Sequence, residues 1–172
     1  MSHKLYLLRV GVCGETVRSL GADQPLFKRG DNVVLQTDRG EMIAEVMQQL
    51  PKRINSTEEP ATQQSQILRP VSEHDLQQQQ ELKQRAEQDF LLWTQRIQEW
   101  RIEVELIDLE WTLDGEKLIL YVLNSRGPEC TKLAIQAAAE GLGVIDVVPV
   151  SATGIEAPVK SGCGCGSGGC SK

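Results

Sequence analysis

The stretch DLEWTLDGEKLILYV, residues 108–122, carries two apolar alternations on either side of Asp114-Gly115. Asp-Gly is a favoured pair for a two-residue hairpin turn, because both residues tolerate the positive φ that the turn demands. Folding back there sets Leu113 opposite Glu116, Trp111 opposite Leu118, Leu109 opposite Leu120 and Ile107 opposite Val122. All but the first of these pairs are wholly apolar, so this face belongs to a core. The other face joins Thr112 to Lys117, Glu110 to Ile119 and Asp108 to Tyr121, a mixed surface that can meet solvent, another sheet or a partner. Upstream, Val104 and Leu106 fall out of phase with Ile107, Leu109 and Trp111, which predicts a bulge or change of face near Leu106.

Working outward, ILRPVSEHDL (67–76) marks a helix start. Ser72 is placed as N-cap, Asp75 as the acid of a shortened capping box, and Val71 can pack on Leu76 across the cap. Such a cap contributes about 1 kcal/mol. The predicted helix runs from Ser72 to Trp100. Ala86, Phe90, Trp93, Ile97 and Trp100 recur at steps of four and three and form an apolar stripe that docks its second half. The glutamine-rich first half offers little to bury and is expected to project, with Gln77, Gln80, Glu81 and Gln84 as candidate contacts for a partner protein and a solvated helix face as the simpler role. Beyond the hairpin, Pro128 opens a second helix that stops at Gly141, and Val144 to Val150 reads as a strand. Cys130 shares that helix's apolar face with Leu133, Ala134 and Ala137, so its expected role is packing.

The first third reads as short strands and tight turns: KLYLLRVGV, ETVRSL, DNVVLQT and EMIAEVMQQL, the last two joined by Asp38-Arg39-Gly40. The expected architecture is therefore α+β. A small antiparallel β unit that can curl towards a barrel (1–50) is followed by a mobile polar loop (51–66). An α+β unit with the long helix and a β-β-α-β layer comes next (67–150), and the chain ends in a flexible Gly/Cys-rich tail (151–172).

The chain has 172 residues and a formal net charge of -6, which disfavours tight binding to naked nucleic acid through a basic face. Neither a secretory leader nor a membrane span is visible, so the expected setting is the cytoplasm, where five cysteines stay reduced or bind metal. There is no G-x-S-x-G, Walker loop or dinucleotide fingerprint. His3 lies near the terminus and His74 in a helix's first turn, so neither suggests a base for catalysis. The acids Glu103, Glu105, Asp108, Glu110, Asp114 and Glu116 describe an outward strand face and a turn rather than a metal site. Lys28, Arg29 and Arg69 are candidates for phosphate, with loop solvation the simpler role. The reading is of a protein without catalytic activity.

Three segments in this order, KRGDNVVLQTDRGEMIAEV, ILRPVSEHDL and DLEWTLDGEKLILYV, resemble the conserved C-terminal domain of the fungal polymerase-suppressor protein. Its bacterial relatives carry the label of stage-zero sporulation proteins. The likeness covers roughly residues 27 to 123 and rests on Gly30-Asp31, Leu68-Arg69, Asp75-Leu76, Asp114-Gly115 and Lys117-Leu118. It implies a regulatory or adaptor protein that works through protein partners, associated indirectly with RNA-processing or replication machinery. Where the family opens its next helix with Arg-Val-Asp-Phe-Arg, this chain has Arg126-Gly127-Pro128-Glu129-Cys130. The family's iron–sulfur cysteines have no matching positions here.

The tail SGCGCGSGGC (161–170) is a separate candidate. Cys163, Cys165 and Cys170 supply three soft ligands among glycines, whereas a closed zinc site or an iron–sulfur cubane takes four. Ordering about ten such residues costs on the order of 10 to 20 kcal/mol. Complete structural zinc sites supply about 10 to 16, so a fourth ligand from Cys13, Cys130, His74 or a partner is required. The alternative to the adaptor reading is thus a zinc or iron–sulfur sensor or carrier; a second is a weak nucleic-acid-binding module. Anaerobic reconstitution with elemental analysis is expected to load the wild-type chain and to fail with Cys163→Ser or Cys170→Ser. Metal content unchanged by either substitution would rule out the tail.

Overall fold

A computed structural model describes residues 3–22, 26–51, 65–123, 127–151 and 154–155. In chain order the elements are β1 (His3–Val10), β2 (Glu15–Ala22), β3 (Asn32–Gln36), β4 (Glu41–Leu50) and β5 (Gln66–Pro70). Then follow α1 (Glu73–Glu99), β6 (Glu105–Trp111), β7 (Lys117–Leu123), α2 (Pro128–Ala139), β8 (Val144–Ser151) and β9 (Gly154–Ile155). The fold is α+β. The first five strands close a barrel in the order β1-β2-β5-β3-β4, and the rest form a second sheet in the order β6-β7-β8-β9.

Alternation builds the barrel. Tyr6, Leu8 and Val10 of β1 and Met42, Ala44 and Val46 of β4 point inward, while Ile43 and Glu45 point out. Among the described residues, only Leu20 and Gln66 pair across the parallel β2–β5 seam. Serines complete it: Ser19 Oγ donates to Ser65 O at 2.8 Å and Ser65 Oγ to Arg18 O at 3.1 Å. The barrel therefore takes its fifth strand from residues that the sequence division attaches to the second unit. Five residues ending in proline carry too short an alternation to be read as a strand. The tail boundary shifts as well, since Gly154–Ile155 pairs with Val150 and Ser151. The loop residues 52–64 and the tail from 156 onward lie outside the described residues.

The hairpin register holds from Asp108 to Thr112: Trp111 faces Leu118, Glu110 faces Ile119, Leu109 faces Leu120 and Asp108 faces Tyr121. Both ends depart from it. Leu106, not Ile107, faces Val122, and Ile107 is the extra residue of a bulge, turned out and 44% exposed. At the turn, Gly115 N donates to Thr112 O at 2.8 Å, while Lys117 N turns to the Thr112 hydroxyl at 3.1 Å and Glu116 N to Asp114 Oδ1 at 3.0 Å. These side-chain acceptors widen the loop, so Leu113 and Glu116 do not pair.

The second sheet is covered on both faces. Leu118, Leu120 and Val122 lie in a cluster with Ala86, Trp93 and Ile97 of α1 and Cys130, Leu133 and Ala137 of α2. Ile119, Tyr121 and Val148 enter the other cluster, the barrel core, beside Tyr6, Leu8 and Phe27. The mixed hairpin face is thus largely used inside the molecule. Truncating Trp93 to alanine is expected to cost about 3–5 kcal/mol, and Ile135→Ala, on the exposed side of α2, to stay within about 0.5. Urea unfolding followed by circular dichroism measures both.

Candidate functional site

Helix α1 is held at three points. At its start, Ser72 Oγ accepts from Asp75 N and the Asp75 carboxylate accepts from Ser72 N at 2.8 Å, the reciprocal box expected from the sequence. Arg69 on β5 adds a two-pronged ion pair to the same carboxylate. Asp75 is buried, and these bonds, those of Arg69 first and of Ser72 next, hold its pKa well below the ordinary carboxylate range. Arg69 is therefore a strut between barrel and helix rather than a phosphate contact. In the middle, Trp111 Nε1 donates to Asp89 Oδ2 at 3.0 Å while the Arg85 guanidinium lies 3.7 Å over the indole. Towards the end, Trp93 and Ile97 are buried against Leu118, Leu120 and Val122 of the sheet, and Trp93 meets Trp100 edge to face with centroids 6.2 Å apart.

The glutamine-rich half does not project. Gln78 Nε2 donates to Leu113 O at 2.7 Å, and Leu82 and Ala86 come down beside the hairpin. Sequence reading missed this because a glutamine whose amide caps a distant carbonyl looks the same as a solvated one. Gln77, Gln80, Glu81 and Gln84 are all exposed, and their spacing of three, four and seven puts them on one side of the helix. Leu91 and Leu92 further along are 63% and 48% exposed.

Between α1, the barrel wall and β6 runs a cleft of about 470 Å³. Arg9, Ile43 and Glu45 form the barrel side, Gln79, Leu82, Lys83 and Ala86 the helix side, and Leu109 to Trp111 with Leu113 the floor. Arg9 and Glu45 pair across its rim. A second hollow, with Val12, Glu87, Phe90 and Asp108, shares Val12, Lys83, Ala86 and Leu109 with the first and prolongs it along the helix.

The turn after β1 closes one wall. Glu110 accepts from the Tyr121 hydroxyl and, at 3.2 Å, from Val12 N. Gly11 has φ +70 there, and a Cβ on it would lie 2.6 Å from Glu110 Oε1, so any other residue would strain the backbone and push the Glu110 carboxylate aside. Burial raises the Glu110 pKa against the opposing pull of these two bonds. Burial and the neighbouring carboxylate push the Tyr121 hydroxyl up in turn, which keeps it a donor. Cys13 is exposed beside this joint; burial of its thiol first, then Asp108, Glu110 and Glu15, raise its pKa and disfavour the nucleophilic thiolate. Opposite, Arg39 reaches Glu15 at 2.8 Å and Asp146 at 3.1 Å, tying barrel to sheet. Cys130 is buried in the helix-facing cluster, as packing predicts. Among the described residues no three His, Cys, Asp or Glu side chains gather to hold a metal, and His74 is an exposed first-turn residue. Cys163, Cys165 and Cys170 lie outside the described residues. No helix among the described residues is long and apolar enough to cross a membrane.

Asp75 and Glu110 impose opposite pH slopes. A depressed carboxylate stabilises the fold above its ordinary value near 4, and that contribution fades as pH falls below it. A raised one favours the fold while protonated and loses that contribution as pH climbs from about 4.3 through its folded value. Asp75→Asn is expected to flatten the acid limb of a stability profile and Glu110→Gln the limb above it. Denaturant midpoints shifted equally at every pH would contradict the assignment.

The family model of the PSP1 C-terminal conserved region matches residues 65–126, the stretch that holds β5, α1, β6 and β7. The PSP1 region is not known as an enzyme family. No curated protein and no solved structure matches the chain. Over residues 65–126, where the strut, the long helix and the hairpin lie, the resemblance to the polymerase-suppressor C-terminal domain is borne out.

Proposed function

We propose that this chain is a non-enzymatic adaptor that holds a protein partner along the exposed side of α1, in the setting of nucleic-acid metabolism that the family resemblance implies. The observation that carries the reading is a helix fixed at both ends and in the middle whose first half nevertheless leaves Gln77, Gln80, Glu81 and Gln84 exposed on one side. Three uncharged amides and one carboxylate on a rigid rod suit a partner surface rich in hydrogen-bonding side chains, because little backbone order remains to be gained on binding. The formal charge of -6 favours a protein over a bare nucleic-acid backbone. Metal or iron–sulfur binding by Cys163, Cys165 and Cys170 stays a separate proposal, tested by the reconstitution above.

Removing residues 77–81 would also remove Gln78 and its bond to Leu113, so point changes are the cleaner test. Affinity capture with the full chain is expected to return a stoichiometric protein partner. Glu81→Lys with Gln84→Lys should cut recovery about tenfold, the loss of about 1.4 kcal/mol of binding, with the circular dichroism spectrum unchanged. Recovery that is indifferent to these changes, and to Gln77→Lys and Gln80→Lys, would contradict the reading.

A further inference from the structure

The floor of the cleft is a sheet edge with backbone groups to spare. Thr112 N donates to Lys117 O at 2.9 Å, so Thr112 and Lys117 are a hydrogen-bonded pair. In an antiparallel ladder the bonded pairs alternate, which makes Glu110–Ile119 and Asp108–Tyr121 the next ones. Leu109, Trp111 and Leu113 therefore turn their N–H and C=O groups away from β7, towards the open side of β6. Two contacts confirm the phase: Leu113 N leaves the sheet to reach Glu41 O at 2.7 Å, and Leu109 N is taken by its neighbour's Asp108 Oδ1 at 2.8 Å. Leu113 O is met by Gln78. Among the described residues no hydrogen bond outside the strand ladder reaches Trp111 N, Trp111 O or Leu109 O, and the ladder phase turns all three away from β7. β6 is also the end strand of its sheet.

We infer that this edge takes a short extended segment of a partner protein, which adds to β6 as one more strand. The inference deepens the adaptor reading and rests on it. An extended chain is the occupant that the geometry fits. The open groups of Leu109 and Trp111 repeat every second residue, the spacing at which another strand presents its own donors and acceptors. From Gln79 to Phe90 the helix wall runs about 16 Å, the length of about five extended residues. Alternate side chains of such a segment would rest on Leu82 and Ala86 to one side and on Val12 and Ile43 to the other. Lys83, which is in none of the ion pairs among the described residues, lines the cleft and can meet an acidic residue of the segment. The bulge at Ile107 and the Asp108 side chain stop pairing at one end, and Glu41 with Gln78 stop it at the other, so the open stretch is short.

Hydrogen exchange on the full chain gives the first test. The Trp111 amide is expected to exchange at least about tenfold faster than those of Glu110 and Thr112, which bond to β7. The second test uses a phage-displayed library of random linear peptides as probe. A peptide selected on the chain should slow Trp111 exchange about tenfold, lose about tenfold in affinity with Ile43→Glu on the barrel wall, and be indifferent to Gln84→Lys on the outer side of α1. A Trp111 amide as slow as that of Thr112 in the free chain would overturn the inference, as would a library that selects nothing or a peptide that leaves Trp111 unprotected. A captured partner that needs Gln84 but not Ile43 leaves the adaptor reading intact and removes the edge from it.

Discussion

Every other feature of this molecule depends on β7 being covered from both sides. Leu118, Leu120 and Val122 face the helices, and Ile119 and Tyr121 enter the barrel core. Each of these five side chains is buried to within about two parts in a hundred of its surface. Buried apolar side chains are worth about 1.5–3 kcal/mol each, so one seven-residue strand joins two cores more firmly than the polar contacts around it can. The barrel and the α/β layer are therefore parts of one body, and α1 is aligned against a fixed wall.

Polar contacts then set position rather than supply the bulk of stability. The turn after β3 meets the hairpin turn so closely that a Cβ on Gly40 would lie 3.1 Å from Asp114 Oδ2 and 3.2 Å from Thr112 Cγ2. Leu113, Arg39 and Lys117 bond across the same seam. Glu110 with Tyr121 and Val12 fix the second contact, and Arg69 with Asp75 the third. Three separated attachments, two to the sheet and one to α1, restrict sliding and rotation between the barrel and the layer beside it. A rigid cleft with an unpaired edge suits recognition of another chain, because less order must be imposed when it binds.

Much of the fold was legible in local patterns. Asp114-Gly115 and the alternation around it specify the register of β6 and β7 from Asp108 to Thr112, the phase break at Leu106 announces the bulge, and Ser72 with Asp75 marks the helix start. What escaped depends on partners distant in sequence. β5 is too short to announce itself, and it is recognisable as a strand only once β3 is beside it. Tyr121 and Ile119 read as half of a mixed face because Glu110 and Asp108 sit opposite, yet a barrel covers them. The exposed side of α1 follows from composition, whereas the cleft draws on β1, β4, α1 and β6 at once. Which edge of a sheet stays open is a matter of strand order, and local periodicity carries no information about it.

The shared strand makes a direct demand on unfolding. All three tryptophans, Trp93, Trp100 and Trp111, belong to the helix-facing cluster, so their fluorescence reports that half alone. Backbone NMR signals of Val33, Val34 and Leu35 report the barrel. In a urea titration of the full chain the two sets of signals should trace one transition with a common midpoint. Two separated midpoints, with the barrel signals intact after the tryptophans have become exposed or the reverse, would show that β7 does not join the halves.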